Sequence, residues 1–212
     1  MLAGVVGDAV AHQSDGAGVA DQVDRETGLP VVSLYGPRLS PPPSALSGLD
    51  LVLFDLQDVG ARFYTFLWTL THLMEACARA GVPLWVLDRP NPLGGEPESV
   101  EGPLPDPEAP ASLLGRWPIP VRHSLTLGEL ALLLRQEMGV GVELEVVAMA
   151  GWRRGLLWPD TGLPFHPPSP GIPSFASALL YPGMALLEPD GFLELLGERY
   201  HLRAIVCGPD FR

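Results

Sequence analysis

The chain has 212 residues, 47% of them apolar and 18% charged, which suits one sizeable folded domain and excludes a disordered chain. Its formal net charge of −12 at pH 7 argues against a nucleic-acid partner, because contact with phosphates needs a basic surface. All 13 basic residues are arginine, and the absence of lysine excludes a P-loop, a Schiff-base enzyme and a protein-kinase-type site.

The chain before residue 50 predicts little regular structure. Residues 1–28 are rich in Gly, Ala and Asp with weak periodicity, which indicates an irregular segment. Residues 30–35 predict a short strand that Gly36 and Pro37 close. After three consecutive prolines, Ser44 is a possible N-cap for a short helical turn.

A strand, a helix and a second strand are predicted over residues 49–92. Residues 50–55 and 84–88 are apolar runs without alternation, as in strands that are buried on both faces of a parallel sheet. Gly81 stands where a helix C-cap belongs. Five apolar residues before it recur at helical spacing: Phe66, Leu70, Leu73, Met74 and Cys77. We therefore expect a three-layer α/β fold with a mostly parallel sheet, and a core position for the Cys77 thiol.

This topology also predicts a site. Crossovers between parallel strands bring both carboxyl ends to one edge of the sheet, and ligands of open α/β sheets bind outside that edge. Both strands end abruptly in polar clusters. The side chains expected to face one crevice are Asp55, Gln57, Asp58, Arg62, Asp88, Arg89 and Asn91.

The rest of the chain alternates between irregular and regular segments. Residues 93–118 predict a long loop, and residues 118–123 a short apolar segment that places His123 at a strand end. Thr126 and Glu129 have the spacing of a capping box at the start of a helix. The remaining predictions are a strand at 142–149, an irregular Pro-rich region at 155–183, a helix at 191–200 and a strand at 204–207.

Several site classes are not expected. No window approaches 18 uncharged apolar residues, so no membrane span is predicted, and the first residues lack the basic region of a signal peptide. No GxGxxG follows a predicted strand, so we expect no dinucleotide or other cofactor. No metal is expected either, because the other histidines have no ligand spacing: His12, His72, His166 and His201.

Longer motifs resemble a known family. Residues 54–64, Phe-Asp-Leu-Gln-Asp-Val-Gly-Ala-Arg-Phe-Tyr, resemble the signature of the exo-acting β-N-acetylmuramidases of bacterial cell-wall recycling, formerly a domain of unknown function. Thr-Gly-Leu-Pro-Val-Val-Ser-Leu-Tyr-Gly at 27–36 and Leu-Asp-Arg-Pro-Asn-Pro at 87–92 agree in order. Shorter matches include Gly151-Trp152, and together they cover about residues 24–188.

The resemblance implies a Rossmann-like domain, which we expect over residues 1–150. A Pro- and aromatic-rich segment with a terminal helix and strand is expected over residues 151–212. That segment would pack on the same domain or belong to a truncated second one. The family resemblance also implies release of terminal N-acetylmuramic acid from peptidoglycan fragments, in the cell envelope or the cytoplasm. The family's Gly-Pro-Glu-His-Gly segment is not found in residues 1–23, and Glu188 precedes Pro-Asp-Gly instead of a Gly- and Asn-rich segment. We therefore expect a chain that lacks both ends of the enzyme, with weak or absent turnover.

Glycoside hydrolysis needs an acid and a second group that acts as base or nucleophile. The candidates for these roles are Asp55, Asp58 and His123, although strand-end aspartates also cap helices and a lone histidine is often structural. Arg62 and Arg89 could hold the lactyl carboxylate of muramic acid, or could pair with Asp58 and Asp88 instead. The other candidate substrate-binding residues are Gln57, Tyr64, Asp88, Asn91 and Trp152.

Two further functions compete with this one. A degenerate member of the family would bind muropeptides without cleaving them. A phosphatase of the haloacid-dehalogenase type is less favoured, because Gln57 occupies the position of the second aspartate in that motif and the usual lysine is absent.

Overall fold

The computed structural model of the chain describes residues 20–34, 38–105 and 115–185. Short 3-10 turns lie at Pro97–Ser99 and Trp158–Thr161. The strands and helices are, in order, β1 (Gln22–Val23), β2 (Pro30–Val31), α1 (Pro43–Leu46), β3 (Val52–Phe54), α2 (Phe66–Ala80), β4 (Leu84–Leu87), α3 (Leu127–Glu137), β5 (Leu144–Val147) and α4 (Phe175–Met184). None of the described helices is long and apolar enough to cross a membrane.

The centre of the fold is a parallel sheet of three strands in the order β3-β4-β5. Val52 stands opposite Leu84, and Leu84 stands opposite Leu144, so all three strands start at the same level. The parallel pairing predicted for the strands at 50–55 and 84–88 is therefore confirmed. The strand predicted at 142–149 joins them as a third parallel strand, and the chain has an α/β fold. Parallel pairing places the ends of β3, β4 and β5 at one edge of the sheet.

The main core lies on one face of this sheet. Val52, Phe54, Leu84 and Val86 point to that face and join the buried apolar side chains of α2 and α3. The opposite face carries Leu53, Trp85 and Val147, which are exposed among the described residues. The expectation of strands buried on both faces is thus wrong for this part of the chain, because both helices pack on the same face.

Helix α2 follows the predicted pattern. Its buried residues include all five of the apolar positions that were predicted from spacing. The helix ends at Gly81, whose φ of +67° is in the left-handed region that glycine adopts without strain. The amide of Gly81 donates to the carbonyl of Ala78, and the amide of Val82 donates to that of Cys77, so two of the last helical carbonyls are satisfied.

The segment before β3 has more order than predicted. β1 and β2 pair antiparallel, so residues 22–23 are not part of an irregular segment. The strand predicted at 30–35 is limited to Pro30–Val31, and residues 35–37 lie outside the described residues. The short helix α1 starts at Pro43 with Pro42 as its N-cap, so Ser44 is not the cap. Proline suits the first helical position because that amide needs no partner.

The Pro-rich region contains a helix that its composition did not predict. Ser174 caps α4 by accepting a hydrogen bond from the amide of Ser177, and Pro182 is near the end of the helix. The helix is anchored by Ala178, which is buried in a second cluster with Ile172 and Val59. The predicted helix at 191–200 and strand at 204–207 lie outside the described residues.

Helix α3 approaches the ends of β4 and β5 so closely that only glycine fits at its second position. A Cβ on Gly128 would lie 2.5 Å from Cγ1 of Val146 and 2.7 Å from Cγ of Asp88. We expect Gly128→Ala to lower the free energy of unfolding by about 1–3 kcal/mol, measured by urea denaturation. Gly141→Ala is the control, because no atom lies within 4 Å of its added Cβ. Equal effects of the two substitutions would contradict this packing.

Burial of Cys77 makes stability depend on alkaline pH. Desolvation raises the pKa of its thiol from 9.0 to about 11, so the folded chain keeps a proton that the unfolded chain releases. The resulting stabilisation is complete below pH 9 and is lost as the pH rises toward 11. We expect the parent to lose roughly 3 kcal/mol more than Cys77→Ala over this interval in urea titrations. Parallel losses would show that Cys77 is not responsible.

Candidate active site

An exposed ion pair joins the ends of β3 and β4. Nε of Arg89 lies 2.7 Å from Oδ1 of Asp55, and both side chains are nearly half exposed, at 43% and 47%. The sequence predicted that these strand-end residues share one crevice, and the structure brings the two side chains into contact. The terminal nitrogens of Arg89 have no further hydrogen-bond partner within residues 20–34, 38–105 and 115–185. They are therefore available to an anion.

Two amide side chains hold the loops beneath this pair. Nε2 of Gln57 donates to the carbonyls of Asp58 and Pro90, at 2.8 and 2.9 Å, so it connects the loop after β3 to the loop after β4. Asn91 donates through Nδ2 to the carbonyl of Leu125 and accepts from the amide of Leu93. In this conformation both side chains hold backbone segments of the protein in place.

The loop after β3 passes very close to Asn91. Gly60 has a φ of +80°, and a Cβ built on it would lie 2.3 Å from Oδ1 of Asn91. Both the backbone conformation and the lack of space require glycine here. The amide of Gly60 also donates to Oδ2 of Asp58 at 2.7 Å, so this turn orients the Asp58 carboxylate.

Asp58 and His123 form a buried pair. The residues are 5% and 4% exposed, and Oδ2 of Asp58 lies 3.6 Å from Nε2 of His123. Nδ1 of His123 accepts a hydrogen bond from the amide of Leu125, so a neutral ring carries its proton on Nε2, toward the carboxylate. Oδ1 of Asp58 has no hydrogen-bond partner among the described residues. Nε2 of His123 also has no hydrogen-bond partner among the described residues, so both side chains are buried with an unfilled hydrogen-bonding position.

His123 is positioned by a turn and not by a regular strand, so the strand-end prediction is wrong. The residue before it, Arg122, forms isolated bridges to Ala61 and Glu101. The residue after it, Ser124, has a φ of +55°, a strained conformation for a residue with a side chain. This turn brings the Leu125 amide to the imidazole, and no local sequence pattern predicts it.

Asp88 links the end of β4 to the start of α3. Its carboxylate accepts from the amide of Gly128 and the hydroxyl of Thr126, both at 2.8 Å, and from the amide of Arg89. Thr126 and Glu129 form the capping box that their spacing predicted. Asp88 thus has the helix-capping role that was the alternative to substrate contact.

Arg62 is buried, and its side chain binds backbone carbonyls. Its residue exposure is 7%, and its Nη1 donates to the carbonyls of Pro103 and Ile119 at 2.8 and 2.6 Å. Burial lowers the pKa of this guanidinium. The proposed pairing of Arg62 with Asp58 is therefore wrong, and Arg89 pairs through its side chain with Asp55, not with Asp88. A guanidinium can join two loops by binding their carbonyls, which sequence spacing does not reveal.

The two aromatic candidates occupy different places. Tyr64 is buried, with ring centroids 4.8 Å from Phe66 and 5.8 Å from Tyr181. Trp152 is half-buried on the loop after β5, against Gly95 and with the Arg154 guanidinium 5.8 Å from its ring centroid. Arg154 was not among the predicted site residues, although it lies two positions from Trp152.

The polar side chains near the carboxyl ends of β3 and β4 include carboxylates, a histidine and arginines, which suit proton transfer and anion binding. Within residues 20–34, 38–105 and 115–185, no three His, Cys, Asp or Glu side chains cluster closely enough to hold a metal ion. One exposed carboxylate and one buried carboxylate–imidazole pair stand at the same sheet edge. This is a reasonable set of groups for acid–base chemistry on a polar, anionic ligand.

Comparisons with known proteins agree with this chemistry. The family model described as exo-beta-N-acetylmuramidase NamZ, N-terminal, matches residues 4–176. The peptidoglycan beta-N-acetylmuramidase NamZ of Bacillus subtilis (strain 168) is 46% identical over 185 residues, which make up 87% of this chain and 43% of the relative. The chain therefore spans less than half the length of this curated relative.

Two crystal structures of DUF1343 family proteins from Bacteroides fragilis NCTC 9343 are also similar. The first has a TM-score of 0.73 and 41% identity, covering 78% of this chain and 43% of the other. The second has a TM-score of 0.71 and 30% identity, covering 88% and 49%. The parallel sheet and its helices thus recur in experimentally determined structures.

Proposed function

The chain belongs to the exo-β-N-acetylmuramidase NamZ N-terminal family, and from this membership we propose that it acts in the release of terminal N-acetylmuramic acid from peptidoglycan fragments. The observation that carries the proposal is the 46% identity to a peptidoglycan beta-N-acetylmuramidase over 185 residues. The polar crevice at the carboxyl edge of the sheet supports it, because ligands of α/β folds bind there.

We also propose that the fold is Rossmann-like, in which case a third layer would cover the sheet face that carries Leu53, Trp85 and Val147, and that residues 1–150 and 151–212 divide the chain into its α/β domain and a Pro-rich segment. The parallel order β3-β4-β5 supports the first part. The contact of Ile172 and Ala178 with Val59 supports packing of the described part of that segment on the α/β domain.

Asp55 is the carboxylate that we assign to direct contact with the sugar. It is the exposed acid of the three candidates, so a glycosidic oxygen or a water on the sugar can reach it. Asp58 and His123 lie too deep for easy contact with a ring, and we assign them to holding or moving a proton behind the site. Asp55 would provide one of the two groups that hydrolysis of a glycoside needs at the scissile bond, and the buried pair would support it through proton transfer.

Arg89 is the residue that we assign to the lactyl carboxylate. This carboxylate distinguishes muramic acid from N-acetylglucosamine, and a guanidinium can bind it with two parallel hydrogen bonds. Arg89 uses Nε for Asp55, which leaves its terminal nitrogens facing the crevice without a described partner. The same guanidinium would then hold the substrate and the Asp55 carboxylate in one arrangement.

The remaining candidates shape the crevice. Gln57, Asp88 and Asn91 keep their loops in place through the hydrogen bonds described above, and Arg62 supports the segment that leads to His123. We assign Trp152 to the sugar face, because it is half-buried beside the loop after β4. Tyr64 supports the loop after β3 from its aromatic cluster.

An assay with chromogenic glycosides tests the reaction. We expect the chain to release the chromophore slowly from β-linked N-acetylmuramic acid, and not from β-linked N-acetylglucosamine. Asp55→Asn should lower the rate by about a hundredfold or more, since the acid–base group is removed. Glu137→Gln, an exposed change at the end of α3, is the control. Turnover by Asp55→Asn at the parent rate would contradict the role of Asp55.

Binding measurements separate the enzyme from the alternative of a non-catalytic muropeptide-binding protein. Calorimetric titration should show tighter binding of N-acetylmuramic acid than of N-acetylglucosamine. Arg89→Ala should reduce the affinity for muramic acid roughly tenfold to a hundredfold, because a charge-assisted hydrogen bond is lost. Arg79→Ala, an exposed change at the end of α2, should bind like the parent.

Each outcome of the titration has a distinct meaning. Selective binding without turnover would favour the binding protein over the glycosidase. Equal affinity for the two sugars, or parent-like binding by Arg89→Ala, would remove the assignment of Arg89 to the lactyl carboxylate.

A further inference from the structure

Arg154 contacts three separate segments around the crevice. Its Nη1 donates to the carbonyl of Gly95 at 3.0 Å and lies 3.5 Å from the carbonyl of Ser124. Its Nη2 forms an ion pair with Glu129 in the first turn of α3. One side chain therefore joins the loop after β5 to the loop after β4 and to the turn that carries His123.

The first of these contacts is tight. The amide of Gly95 donates to the backbone carbonyl of Arg154 at 2.7 Å, and the carbonyl of Gly95 accepts from the Arg154 side chain. Both the backbone and the side chain of Arg154 therefore bind Gly95. A Cβ on Gly95 would lie 2.8 Å from Cη2 of Trp152 and 3.2 Å from Nη1 of Arg154. Trp152 is consequently held between the Gly95 backbone and the Arg154 guanidinium.

The second group of contacts leads to the His123 turn. Glu129, the ion-pair partner of Arg154, also accepts from the amide of Thr126, and Thr126 donates to Asp88. Ser124, whose carbonyl faces Arg154, is the residue with positive φ next to His123. The strained turn at Ser124 is thus held by the contact of Arg154 with its carbonyl and by the capping box that follows it.

We propose that Arg154 is a positioning residue that holds Trp152 and the His123 turn in their places within one wall of the crevice. This proposal rests on the proposed function for its effect on catalysis. The planar fork of arginine is required, because it reaches two carbonyls and a carboxylate at once, whereas a lysine ammonium is a single point of charge. Arg154 does not touch the reacting atoms; it acts through Trp152 and His123.

The test compares Arg154→Ala and Arg154→Lys with Arg153→Ala. Arg153 is the neighbouring arginine, exposed and without a described side-chain hydrogen bond, so it is a matched control. Hydrogen–deuterium exchange of the unliganded chain should rise in all three segments for Arg154→Ala: residues 91–96, 123–129 and 151–156. Arg154→Lys should protect 123–129 through Glu129 but not 91–96. Arg153→Ala should exchange like the parent.

Kinetics with the chromogenic glycoside give the second readout. Arg154→Ala should lower kcat/KM by about tenfold or more at temperatures well below melting, because misplacement of the contacting groups is costly. A merely structural role would lower the melting temperature and leave the constants per folded molecule unchanged, which would overturn the proposal. Faster exchange confined to residues 151–156 would overturn it as well. If the parent binds N-acetylmuramic acid without turnover, the exchange pattern alone decides the role of Arg154. If the parent neither binds nor cleaves this sugar, the proposed function fails.

Discussion

The carboxylate of Asp88 joins the central strand of the sheet to the first turn of α3, and the arrangement of the crevice depends on this junction. It accepts hydrogen bonds from the strand end, from the Thr126 hydroxyl and from the Gly128 amide. These bonds satisfy amides at a helix start that would otherwise lack partners. Arg89 and Asn91 follow Asp88 within three residues of the sequence, so the same junction determines where they lie.

All basic residues of the chain are arginine, and in the structure several of their guanidinium groups connect separate segments. Among the described residues, five arginines each reach two separate acceptors, carbonyl or side-chain oxygens that belong to different parts of the chain or to neighbouring turns of a helix: Arg38, Arg62, Arg116, Arg122 and Arg154. A lysine at any of these positions would keep the charge and lose the fixed fork. The long irregular segments around the sheet are thereby held without regular secondary structure, which leaves the sheet edge polar and accessible.

Local patterns predicted much of the fold. The apolar runs of β3 and β4, the spacing and Gly81 end of α2, and the Thr126–Glu129 capping box each depend on residues within one or two turns of each other. The segment around α4 escaped prediction because prolines dominate its composition, whereas its order comes from Ala178 packing on Val59, far away in the sequence.

The site was predicted less completely than the fold. Topology brought Asp55 and Arg89 together, since strand ends of a parallel sheet must meet at one edge. It could not show that Arg62 turns toward backbone carbonyls or that Ser124 has a positive φ, because both depend on contacts between distant loops. The motifs at 54–64 and 87–92 carried the family resemblance, and the family model that matches residues 4–176 agrees with it.

The close approach of Gly60 to Asn91 bears on how sequences of this family should be read. Two positions separated by 31 residues share one small volume, because a Cβ on Gly60 would lie 2.3 Å from Oδ1 of Asn91. Substitution at either position is therefore not an independent event. Alignments should show the two positions varying together or not at all, and an ancestral change at one would restrict every later change at the other.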